Sequence, residues 1–162
     1  MLLQVQADGM ALRHVPAQLR SEKLNLAAVR QNCWALRHVR QQDMTEALCQ
    51  IAVKRDGRTL RYVAPSLRSS ALCLSAVRSN PQAMDFVPDS VRLEVEFALA
   101  VAASDQARAN DILVRAFAQD AAHALDLAER YGVLVQGRHR AIARRATAQD
   151  PSKNHGSRET EH

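Results

Sequence analysis

The apolar positions of this chain recur at one fixed interval. Val5, Val29, Val53, Val77 and Val101 stand 24 residues apart with no gap needed to keep them in step. Ala28, Ala52, Ala76 and Ala100 keep the same interval, as do Leu12, Leu36, Leu60 and Met84, and Val15, Val39, Val63 and Val87. A polar column, Asp8, Asn32, Asp56 and Asn80, precedes each apolar group. Asx side chains accept hydrogen bonds from the first free N–H groups of a helix, so each of these residues is read as an N-cap. The spacing i, i+1, i+4 of Ala11, Leu12 and Val15 makes one buried stripe on a short helix. The pattern predicts first helices of about seven residues over 9–15, 33–39, 57–63 and 81–87. Pro16, Pro65 and Pro88 stop them, since proline gives no N–H to the ladder and disfavours helix in the residue before it.

A second cap column, Ser21, Thr45 and Ser69, opens a second helix in each unit, over Glu22–Gln31 in the first. Its inward stripe is Leu24, Ala27 and Ala28, and the repeated alanine marks a close approach between neighbouring helices. Helices this short are not stable alone. Stacked in register they bury a continuous core, which predicts an all-α fold: a helical-hairpin repeat array, or α-solenoid, of about four units over 1–103. The repeat fails after Val101. A longer helix is expected from 105 to 130, with Ile112, Leu113, Ala116, Phe117, Ala121, Ala124, Leu125 and Ala128 on its apolar face and Gly132 as its stop. Segment 104–132 is read as a capping helix for the open end of the array, 133–148 as a short basic helix, and 149–162 as a disordered tail.

Composition supports the helical reading. Aromatic residues make up 4% of the chain, and a core of Ala, Leu and Val suits closely packed short helices better than a sandwich or barrel. No apolar run approaches the roughly 18 residues of a membrane span, and the start MLLQVQADG lacks the form of a signal peptide. A soluble cytoplasmic protein is expected, with export into a host cell as the alternative. Cys33, Cys49 and Cys73 form no CxxC pair and are read as free thiols in a reducing compartment, Cys49 and Cys73 as small core residues. Charge is unevenly placed: residues 1–92 hold 13 Lys/Arg against 7 Asp/Glu, residues 93–132 hold 3 against 7, and residues 133–162 hold 6 against 3. A basic face of this kind attracts nucleic acid, an acidic partner, or the acidic segment of a second copy.

The units AVRQNCWALRHV and AVKRDGRTLRYVAPSLR resemble the repeats of the bacterial family called domain of unknown function 4116, which read AVxQNGxAL, then an aromatic residue and a short LR-type loop. The resemblance spans about residues 5–101. It departs at Cys33 and Pro81, where that family favours glycine, and at Asp43, where it favours leucine. It implies an all-helical module with no assigned chemistry, so no catalytic residue is carried over. A more distant similarity is to leucine-rich variant repeats.

The first helices also carry outward columns: Met10, Trp34, Arg58 and Gln82; Arg13, Arg37, Arg61 and Asp85; His14, His38, Tyr62 and Phe86. Trp34, Arg37, His38, Arg58, Arg61, Tyr62 and Arg13 are the candidate binding residues, because Trp, Tyr and Arg dominate interface hot spots. The plainer alternative is that the ring column packs half-buried between units with solvated arginines lying over it. Candidate phosphate contacts are Arg30, Lys54 and Arg78, with Arg138, Arg140, Arg144 and Arg145 in the tail; a further basic column is Arg20, Arg68 and Arg92. Asp120 and His123 are spaced i, i+3, but no second His or Cys accompanies them, so neither a metal nor a cofactor is expected. No GxxxxGK[ST], HExxH, GxSxG or GxGxxG occurs. The expectation is a non-enzymatic module that binds a protein partner, with nucleic-acid binding through the arginine columns as the alternative.

Overall fold

A computed structural model describes residues 2–133, and every regular element among them is helical. The basic segment expected over 133–148, including Arg138, Arg140, Arg144 and Arg145, and the tail expected over 149–162 lie outside the described residues, Val133 excepted. The chain divides into two compact units, Met1–Val95 and Glu96–His162.

In the first unit, α1 (Leu2–Ala7) is followed by the 24-residue motif in three full copies. Each copy is a six-residue 3-10 helix, a three-residue 3-10 turn and a ten-residue α-helix. The 3-10 helices are Gly9–His14, Cys33–His38 and Gly57–Tyr62, and the α-helices are α2 (Glu22–Gln31), α3 (Glu46–Arg55) and α4 (Ser70–Ser79). A fourth 3-10 helix, Pro81–Phe86, leads directly into α5 (Asp89–Ala102).

Both cap columns do what their chemistry suggests. The side chains of Asp8, Asn32, Asp56 and Asn80 accept from the N–H of Met10, Trp34, Arg58 and Gln82 at 2.9–3.0 Å. Ser21, Thr45 and Ser69 accept from Leu24, Leu48 and Leu72 at 3.3 Å. In the fourth copy Leu93 stands in that second column. With no cap to break the chain there, α5 starts early and runs for 14 residues.

The first helices differ from expectation in their winding. They are 3-10 rather than α: Val15, Val39, Val63 and Val87 close the turn with i to i+3 bonds of 3.0–3.2 Å to Leu12, Leu36, Leu60 and Met84. Pro16 and Pro88 have no N–H for an α-type bond there, but Arg40 and Ala64 hold that place in the other two copies, which wind the same way. In a 3-10 helix residues i and i+3 eclipse, which sorts the segment into rows. Leu12 and Val15, Leu36 and Val39, and Leu60 and Val63 form buried rows, while positions such as 34 and 37 share the opposite, outer row.

Each copy packs on the next. Helix α1 lies on α2, α2 on α3 and α3 on α4, and the four six-residue 3-10 helices follow one another in the same way. The repeated valines and alanines fill the contacts: Val5, Val29, Val53, Ala28, Ala52 and Ala76 are fully buried. At two positions the approach leaves room only for glycine. A Cβ on Gly9 would lie 2.3 Å from the carbonyl oxygen of Ala28, and one on Gly57 would lie 1.9 Å from that of Ala76.

Side chains join the copies where helix ends leave carbonyls free. Gln31 Nε2 donates to Ala7 O at 3.1 Å, Arg55 Nη1 to Gln31 O at 3.3 Å and also to Arg30 O, and Ser79 Oγ to Lys54 O at 3.3 Å. One column of the repeat thus reaches back, copy after copy, to the end of the preceding α-helix. Burial pushes the Cys49 thiol up to about 11 and raises those of Cys73 and Cys33; all three are free.

In the second unit, α6 (Gln106–Gln119) packs against α7 (Ala121–Arg130), and the ring of Phe97 meets that of Tyr131 edge-on at 5.6 Å. The single helix expected over 105–130 is therefore two. Asp120 breaks it, with φ −152° and ψ 108°, and its carboxylate accepts from Ala122 and His123 N–H at 2.9 and 3.1 Å to start α7. The restart changes the buried face. Leu127 is fully buried where the uninterrupted pattern had placed Leu125. Ser104, which stands in register with the cap column, is not the cap; Asp105 is, accepting from Arg108 N–H at 3.0 Å. Ser104 instead holds a left-handed conformation, φ 56°, at the end of α5, where Asp105 N–H bonds Ala100 O at 2.9 Å.

Two stability outcomes follow. Glycine adopts the left-handed conformation without the Cβ penalty, so Ser104→Gly is expected to stabilise the chain by about 1 kcal/mol and raise Tm by about 2–4 °C; an unchanged or lower Tm contradicts this account of the turn. Asn25 is buried with neither end of its amide bonded, in the column that holds Cys49 and Cys73. Asn25→Cys is therefore expected to add about 1–2 kcal/mol in urea unfolding, and a loss of stability contradicts it.

Candidate interaction face

The outer rows of the 3-10 helices bring most of the candidate residues together. Trp34 is half-buried, and its ring meets that of Tyr62 in the next copy edge-on, with centroids 6.1 Å apart and planes at 76°. Arg58 lies over the Trp34 ring at 5.3 Å. Arg61 lies over two rings, Tyr62 at 5.3 Å and Phe86 at 5.6 Å. His38, Tyr62 and Phe86 are half-buried and His14 is exposed, so the ring column packs between copies with arginines across it. The geometry is the repeat at work: 24 residues place a ring at the same position in each copy, preceded by Arg in the first three and by Asp85 in the fourth.

The arginines divide into two groups. Arg20 Nε donates to Val15 O at 2.8 Å and its Nη1 to His38 O in the next copy. Arg68 repeats this, donating to Val63 O at 3.0 Å, Phe86 O at 3.1 Å and Arg61 O at 3.3 Å. Arg92 donates to Val87 O at 3.2 Å. These guanidiniums are committed to the ends of the 3-10 helices, so the column read as a possible phosphate track is a set of clamps. Met44 holds the place in the second copy, and the loop there carries instead an Arg40 to Asp43 ion pair of 2.6 Å.

Arg58 is also engaged. It pairs with Asp56 at 2.9 Å, and hydrogen bonding from Arg58 holds the Asp56 carboxyl below its ordinary range. Arg37 makes no hydrogen bond or ion pair among the described residues. Arg13 Nε donates to the imidazole of His14 at 2.8 Å. Arg30, Lys54 and Arg78 are exposed in the last turns of α2, α3 and α4, where a cation complements the helix dipole. They stand on different elements from Trp34. Asp120, the sequence candidate beside His123, is used as a cap, and no group of three or more His, Cys, Asp or Glu suited to a metal ion occurs among the described residues.

No family model matches the chain. Neither a curated protein nor a solved structure matches it either.

His38 is the half-buried histidine of the ring column. Its Nε2 is enclosed without a hydrogen-bond partner. Burial lowers its pKa first, and the positive charges of Arg37, Arg20, Arg13 and His14 lower it further. Because the folded protein resists protonating His38, the unfolded chain takes up the proton first as pH falls. Stability is expected to be lost progressively below pH 6.5, the ordinary histidine value. His38→Tyr, the residue of the next copy, is expected to flatten that part of the profile in urea unfolding between pH 7.5 and 5. An equal slope in both proteins removes His38 as its source.

Proposed function

We propose that the chain is a helical repeat module, a short α-solenoid related to the domain of unknown function 4116 repeats, that binds a protein partner without catalysing a reaction on it. The observation that supports this reading is the pre-assembled cluster of Trp34, Tyr62, Arg58 and Arg61 on one outer face. Trp, Tyr and Arg carry most of the energy at protein interfaces, and side chains already held by ring contacts lose less freedom on binding. No described helix is long and apolar enough to cross a membrane, and a bacterial, cytoplasmic setting is part of the proposal.

The test is selection of peptides from a random display library on the full chain, followed by titration of the winners. Trp34→Ala, checked for folding by circular dichroism, is expected to weaken their binding by about tenfold or more, a hot-spot loss, with only a modest effect of salt. Nucleic acid is the competing ligand. Labelled DNA or RNA whose binding falls steeply with salt and survives Trp34→Ala, with no Trp34-dependent peptide found, would overturn the reading.

A further inference from the structure

The row Arg13, Arg37, Arg61 and Asp85 occupies one place in four successive copies, and all four residues are exposed. None of its three arginines pairs with a carboxylate among the described residues, and none is tied to a backbone carbonyl as Arg20, Arg55 and Arg68 are. Arg13 bonds only the neighbouring imidazole, Arg37 bonds nothing among the described residues, and Arg61 rests on two rings. The acidic residues nearby are committed elsewhere: Asp8 and Asp56 cap helices, Asp43 pairs with Arg40 and Asp89 with Arg92. Among the described residues the row is thus three cations without a carboxylate followed by one anion without a cation, one per copy.

We infer that this row is a docking track for an extended acidic peptide bearing a carboxylate at every third residue over three steps and a basic residue at the fourth. Packed helices repeat at roughly 10 Å, and a polyproline II chain advances about 3.1 Å per residue with three residues per turn. Every third side chain of such a peptide therefore points the same way and keeps step with the copies. A regular β-strand would turn alternate carboxylates to opposite faces. The fourth place decides polarity, because Asp85 repels a fourth carboxylate and attracts a cation. It also disfavours a nucleic-acid strand, which carries a phosphate at each nucleotide and no cation to offer Asp85.

This inference rests on the protein-binding reading of the same face, and its test separates the two. A labelled peptide with the repeat Glu-Pro-Ala three times and then Lys is titrated against the full chain by anisotropy, beside a peptide of identical composition with its three glutamates adjacent. The spaced peptide is expected to bind about fivefold to tenfold more tightly, and Arg37→Glu to remove that advantage. Asp85→Arg is expected to shift preference toward a peptide ending in Glu. Arg78→Glu makes the same charge change on α4 and is expected to reduce both peptides alike and only slightly. Equal binding of the two peptides, or an Arg78→Glu effect as large as that of Arg37→Glu, overturns the track. So does displacement of the peptide from wild type but not from Arg37→Glu by an oligonucleotide of equal charge. If display-selected peptides still depend on Trp34 when the spaced peptide fails, the track falls and the protein-binding reading stands.

Discussion

The first unit depends on satisfying backbone carbonyls at the ends of very short helices. A six-residue 3-10 helix or a ten-residue α-helix leaves a large share of its carbonyls without an internal partner, and neither element is stable alone. The repeat answers this from within. Arg20 and Arg68 tie the end of one 3-10 helix to the end of the next, and Gln31, Arg55 and Ser79 do the same for the α-helices. Because each clamp spans two copies, a single copy cannot complete its own hydrogen bonding. The valines and alanines between copies then bury the apolar side of the same contact.

This division of labour explains the basic charge of residues 1–92 better than a uniformly solvated surface does. Some guanidiniums hold the fold, through carbonyls that no lysine could reach with the same two-pronged geometry. Others stand on the outer row of a 3-10 helix, laid against rings or left open. The winding makes this separation possible: in a period of three, one row is committed to the core and another is committed to the outside.

Much of this was legible in the sequence because the repeat is gapless. Both cap columns, the ten-residue α-helix and the buried valines follow from residue type and spacing alone. The 3-10 winding was not read: Pro16 and Pro88 remove an α-type donor in two copies, but Arg40 and Ala64 stand there in the other two, which wind the same way. The clamps were missed because an arginine facing a carbonyl and one facing solvent look alike in a column; the absence of arginine at Met44 was the available hint. The break at Asp120 was missed for a different reason. The apolar residues on its two sides nearly keep helical phase, so only the capping preference of an aspartate between Gln119 and Ala121 marked it. Of the candidate face, the columns of Trp34, Arg37, Arg61 and Tyr62 were legible from the spacing, but not the ring contacts between neighbouring copies.

The arginines of the first unit form two physical populations, those bonded to helix-end carbonyls and those on the outer row. The most direct measurement is the arginine Nε–Hε region of a two-dimensional nitrogen–proton NMR spectrum of the full chain, assigned by single substitutions and followed for solvent exchange. Arg20 and Arg68, whose Nε–H groups are bonded to Val15 O and Val63 O, are expected to exchange slowly and give dispersed signals, while Arg37 exchanges fast at the position of a free side chain. Uniformly fast exchange in all of them would contradict the clamps, and a protected Arg37 would contradict the open row.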